Sequence, residues 1–160
     1  MAKDNQMIFL NLPVADLEAS IAFYTALGFR QNTVFSSPDA AGMVLSDSIW
    51  VMLHTPSSFA SFLPPGRKAT DAKTYTECLF CLSRTSREAV DEMVEKAGKA
   101  GGGVDVGFKK DEGYMYGRSF EDLDGHVWEV MWMTEEAPMD PEAAEEAKKR
   151  GECGPGKQDA

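Results

Sequence analysis

The stretch GYMYGRSFEDLDGHVWEVMWM, residues 113–133, decides the fold. Met115–Phe120 and Val127–Met133 read as two strands around Glu121–His126, which carries an Asp-Gly turn signal. Strand alternation places Val127, Glu129, Met131 and Met133 on one face and His126, Trp128, Val130 and Trp132 on the other. Glu129 is thus a carboxylate on an otherwise apolar face, where it needs a metal, a cation or a hydrogen-bonding substrate. A hairpin centred on the turn sets Arg118 opposite Glu129, and a cross-strand ion pair would satisfy both without any chemistry. Both readings stay open from the residues alone.

Working outward, the same strand-rich pattern is found twice. Met7–Leu12 reads as a strand, and Asp16 as the N-cap of a helix with Leu17, Ile21, Tyr24 and Leu27 on one stripe. Gly28 ends that helix, and strands follow at about Arg30–Ser36, Ala41–Ser46 and Ile49–Thr55. Residues 56–73, with Pro56, Pro64, Pro65 and Gly66, form a linker with one helical turn at Ser58–Leu63. Tyr75–Ser83 opens the second round. A Thr85-x-x-Glu88 capping box starts a helix burying Val90, Met93, Val94 and Ala97, and three glycines at 101–103 stop it. Val104–Phe108 precedes the two strands of the opening stretch. The expectation is an α+β fold of two tandem βαβββ modules, 7–55 and 74–133, whose curved mixed sheets form a crevice. Residues 134–160 make an acidic tail, part helical and part mobile.

Composition narrows the function. The formal charge of the 160 residues is −10; from Thr134 onward eight acids and four bases give −4, leaving −6 for the first 133. That balance argues against nucleic-acid and acidic-membrane partners. No apolar run is long enough to span a bilayer and no signal-peptide pattern opens the chain, so a cytoplasmic location is expected. Cys78, Cys81 and Cys153 form no disulfide framework. Cys78 and Cys81 match C-x-x-C, but three residues apart on a strand they point to opposite faces, as ordinary strand thiols do.

Two passages, NLPVADLEASIAFYTALGF at 11–29 and GRSFEDLDGHVWEVMWM at 117–133, resemble the vicinal oxygen chelate superfamily. That superfamily includes glyoxalase I, bleomycin-resistance proteins, fosfomycin-resistance enzymes and extradiol dioxygenases; the wording is closest to the group of predicted lactoylglutathione lyases. The resemblance implies metal-ligand slots at Phe9, Met52, Glu77 and Glu129. Two of the four are apolar, so the implied site is incomplete. His54, two residues beyond Met52, is a candidate substitute, and Glu77, Glu129 and His54 form the candidate metal set.

Two functions are expected from this. In the first, an incomplete site leaves a small-molecule-binding protein with no metal or a weakly bound divalent one, its pocket walled by Phe9, Asn11, Met52, Tyr116 and Met131. In the second, the chain is a divalent-metal-dependent lyase or isomerase of lactoylglutathione lyase type. Glu129 would then be base or ligand, and Arg118 an anion stabiliser. The resemblance also implies homodimers or pairing of the two modules within one chain, and leaves that choice open.

Overall fold

Asp16 accepts a hydrogen bond from the Ala19 N–H at 3.0 Å and so begins α1, Leu17–Ala26. Gly28, at φ +99°, takes the left-handed conformation just past the last turn and turns the chain into the next strand. This computed structural model describes residues 6–134, and the tail beyond Thr134 lies outside them. The buried side of α1 centres on Ser20, Phe23 and Tyr24, with Leu17 and Ile21 at its margin.

Around α1 lie β1 (Ile8–Pro13), β2 (Arg30–Ser37), β3 (Ala40–Val44) and β4 (Ile49–His54), in the sheet order β1-β4-β3-β2. β1 runs parallel to β4, and the other pairs are antiparallel. A short α2, Pro56–Ala60, follows. The second half comprises β5 (Phe80–Ser83), α3 (Arg87–Lys99), β6 (Gly103–Val104), β7 (Lys110–Asp111), β8 (Met115–Glu121) and β9 (Val127–Met133). Its order β5-β9-β8-β6 repeats the first sheet's connectivity, with β7 also paired to β8. The mixed α/β duplication expected from the sequence is therefore present.

Four local expectations are corrected. β5 begins at Phe80 rather than Tyr75, because Asp71 draws the preceding chain into a turn, accepting from Lys73 N and Thr74 Oγ1. The helix cap is Ser86, whose Oγ accepts from Ala89 N at 3.2 Å, one residue later than the Thr85 box. Of the expected strand Val104–Phe108 only Val104 is in a strand, β6; residues 105–109 leave the sheet, and β7 forms beyond them.

The fourth correction bears on function. Asp122 Oδ1 accepts from both Asp124 N and His126 N, so the loop holds five residues, 122–126. That sets Ser119, not Arg118, opposite Glu129, and Arg118 opposite Val130. A one-residue slip transfers a side chain to the other face of the sheet.

The two halves share one core. Phe23, Tyr24 and Phe29 from the first half pack with Phe120 and Trp128 from the second. Trp128 is fully buried; its Nε1 donates to the Tyr24 hydroxyl oxygen at 3.2 Å, and that hydroxyl donates to Asp122 Oδ2 at 2.7 Å. The rest of the 122–126 loop grips the other half as well. Asp124 accepts from Ala15 N (2.8 Å) and Ser20 Oγ (3.2 Å), and His126 Nε2 donates to the Pro13 carbonyl at 2.9 Å. His126 is thus a structural donor.

Candidate functional site

Alternation assigns each sheet a helix-covered face and an opposite face. In the first sheet Leu12, Val51, Leu53, Ala41 and Met43 are buried on the side packed by α1. Phe9 with Trp50, Asn11 with Met52, and Pro13 with His54 are neighbours on the opposite side. In the second sheet Tyr116 and Arg118 point to α3, where Tyr116 Oη (2.7 Å) and Arg118 Nη1 (2.9 Å) both donate to Asp91 Oδ1. Cys81, Glu129 and Ser119 form a row on the opposite side, and Met131 lies beside Gly117.

This arrangement divides the expected site residues. Glu129 and Met131 share a face, and Phe9, Asn11, Met52 and His54 share another. Arg118 and Tyr116 belong to neither. Arg118 grips Asp105 through two hydrogen bonds of 2.9 Å, so it is no partner of Glu129. Those carboxylates hold the Arg118 guanidinium well above its usual pKa, and Asp105 is in turn depressed, first by its hydrogen bond from Arg118. The placement of Tyr116 as a pocket wall is corrected for the same reason.

Glu129 is half-buried, flanked by Met131 and Cys81, and has no hydrogen bond or ion pair among the described residues. Burial, and then the Glu129 charge, push the Cys81 thiol up, which suppresses the thiolate a nucleophilic cysteine requires. On the other sheet His54 is buried. Its Nε2 faces Asn11 Oδ1 at 2.9 Å and its Nδ1 faces Ser58 Oγ at 3.0 Å. The amide oxygen only accepts, so Nε2 carries the proton and Nδ1 accepts from Ser58. Burial lowers the His54 pKa, so the ring is neutral at neutral pH.

A cavity of about 290 Å³ lies where β1 meets the segment before β5. Asn11 and Glu77 line it, together with Lys68, Phe59, Tyr75 and Val127. Only Asn11 and Glu77 among the expected site residues reach it. Lys68 comes from the linker, whose sequence offers no periodic signal, and Tyr75 from the run expected to open β5, so sequence reasoning placed neither at this cavity.

The donor set does not fit a divalent ion held at the slots the resemblance implies. Among the described residues no three His, Cys, Asp or Glu side chains gather as a metal site. Glu77, Glu129 and His54 are not brought together, both His54 nitrogens are engaged, and Phe9 offers no donor atom.

A family model described as bleomycin resistance protein-like, N-terminal, matches residues 6–46. No curated protein matches the sequence. A hypothetical protein, SA1046 from S. aureus, has a solved structure that is 31% identical, with a TM-score of 0.65 over 79% of this chain and 93% of that one. A glyoxalase/bleomycin resistance protein/dioxygenase family enzyme from Burkholderia phytofirmans is 19% identical, with a TM-score of 0.63 over 81% and 99%. A lactoylglutathione lyase from Agrobacterium tumefaciens is 18% identical, with a TM-score of 0.58 over 82% and 96%. The last two are similar in fold alone.

Proposed function

We propose that this chain, which matches a bleomycin resistance protein-like model over residues 6–46 and shares the fold of a glyoxalase/bleomycin resistance protein/dioxygenase family enzyme, binds a small molecule on the sheet faces turned away from its helices. The ligand presents a cation or a hydrogen-bond donor to Glu129. The observation that carries this reading is Glu129 itself, a half-buried carboxylate among methionines with no partner among the described residues. A carboxylate on an otherwise apolar face needs a cation or a hydrogen-bond donor to offset its partial burial. Met115, Met131 and Met133 supply an adaptable apolar wall, since unbranched thioethers adjust to irregular shapes.

The lyase reading has weaker support. It needs a metal-polarised substrate, and the donors at the implied slots do not supply a holder for that ion. No catalytic step is assigned to Arg118, which is committed to Asp91 and Asp105. We place the protein in the cytoplasm as a homodimer. The half-exposed aromatic group Phe9, Phe35 and Trp50, with ring centroids 5.6 Å apart in each adjoining pair, suits a surface that a second copy covers. Among the described residues no helix is long and apolar enough to cross a membrane.

The test is a thermal-shift screen of cationic and neutral small molecules on wild type and Glu129→Gln, joined to elemental analysis. Ligands that stabilise wild type and not Glu129→Gln support the reading. A tightly held stoichiometric cation lost in Glu129→Gln would instead restore the metal-dependent lyase.

A further inference from the structure

Gly117 stands next to Met131 on the face that carries Glu129, and what covers it is the ring of Phe108. A Cβ added at Gly117 would collide with Phe108 Cε1, so the ring rests directly on the strand backbone. Glycine inside a strand often marks such a close approach. Phe108 comes from the segment between β6 and β7, which left the sheet where sequence alone predicted a strand.

That segment is fastened at both ends. On one side Asp105 N donates to Ser119 O (2.7 Å) and Gly107 N donates to Ser119 Oγ (2.9 Å), so the chain crosses the row that contains Glu129. Asp105 adopts φ +51°, a left-handed conformation that a non-glycine residue keeps only under constraint. The constraint is the bidentate grip of Arg118, which reaches Asp105 from the α3 side. On the other side Arg87 holds Asp111 through two hydrogen bonds of 2.7 Å.

We propose that Phe108 is a size filter for the ligand face: its ring fills the space that Gly117 leaves beside Met131, and narrow ligands alone reach Glu129. Arg118 is the positioning residue for that filter, acting through Asp105. The proposal rests on the ligand-face reading above. It adds a specificity determinant and a ligand class: a small ammonium-bearing molecule with a narrow apolar substituent. The hollow left by removing the ring would be walled by methionine and glycine and sized for one aryl group.

The probes are three primary ammonium ions of increasing width: n-propylamine, benzylamine and 2-naphthylmethylamine. Binding is read by saturation-transfer NMR, which suits weak ligands. Wild type is expected to prefer n-propylamine, and Phe108→Ala to prefer benzylamine, a swing of about tenfold or more. Arg118→Ala, on the far face, should swing the same way, and in the double variant the two effects should fall short of additive. If Phe108→Ala does not fold, Phe108→Leu serves, with a smaller swing in the same direction.

An unchanged width preference in Phe108→Ala, with binding still dependent on Glu129, overturns the filter and leaves the ligand face standing. Amine binding to wild type that Glu129→Gln does not weaken overturns the ligand face itself. Absence of binding to both proteins overturns both ideas. A uniform loss of affinity in Arg118→Ala with no change in width preference removes Arg118 from the account.

Discussion

Glu129 and Asp122 are two carboxylates seven residues apart with opposite circumstances. Glu129 has no protein partner among the described residues, so Glu129→Gln should leave folding stability within about 0.5 kcal/mol of wild type. Urea unfolding checks this, and a loss of several kcal/mol would mean that the carboxylate serves the fold. Asp122 is buried and accepts from Tyr24, Asp124 and His126. Burial nonetheless raises its pKa above the usual 3.8, outweighing those donors. An acid raised on folding favours the native state most when protonated. The advantage is full below the unfolded value and is lost as pH rises through the higher folded value. Stability measured against Asp122→Asn should therefore fall across that window in wild type. A difference that does not change with pH would rule out the raised value.

At the scale of elements, the hairpin β8–β9 shows what could be read in advance and what could not. Both strands, the Asp-Gly turn and the lone acid on β9 are evident from alternation and turn residues. The register is not, because a six-residue connection, 121–126, and the five-residue one observed differ in whether Asp122 captures two backbone N–H groups and leaves Glu121 paired with Val127. That one residue moved Arg118 and Tyr116 to the α3 face. Tertiary contacts end the expected Val104–Phe108 strand at Val104 for a related reason: the ring of Phe108 has a better place on Gly117. Gly117 was the available clue, being a glycine in mid-strand. Removing Arg118 leaves Asp105 with Lys109 and Asp91 with Tyr116 as their remaining side-chain partners, and because both acids are partly exposed the cost should be about 1 kcal/mol. Chemical denaturation of Arg118→Ala measures it. The Arg87–Asp111 clasp adds an acid sensitivity of opposite sign to Asp122. Hydrogen bonding to Arg87 lowers Asp111 to about 2, so its contribution is full above the usual 3.8 and disappears as pH falls toward 2. Asp111→Asn should remove that acid limb from the stability profile.

For the whole molecule, the shared core implies that the two halves unfold together. Trp128 joins Tyr24, Phe29, Phe80 and Phe120, and Trp128→Ala should cost about 3–5 kcal/mol. Calorimetry should show one transition in wild type; two separated transitions would mean independent halves. Strand order also governs how the chain is made. In each half the first strand pairs with the last, and β9 lies between β5 and β8 near the end of the described residues. A ribosome therefore delivers the central strand of the second sheet, with Trp128 on it, after every other described element. At roughly 5–20 residues per second, α1 waits several seconds with Phe23 and Tyr24 lacking the partners that will cover them. Chains arrested before Val127 should be readily cut by protease and drawn to chaperones, whereas those arrested once β9 has cleared the exit tunnel should resist digestion.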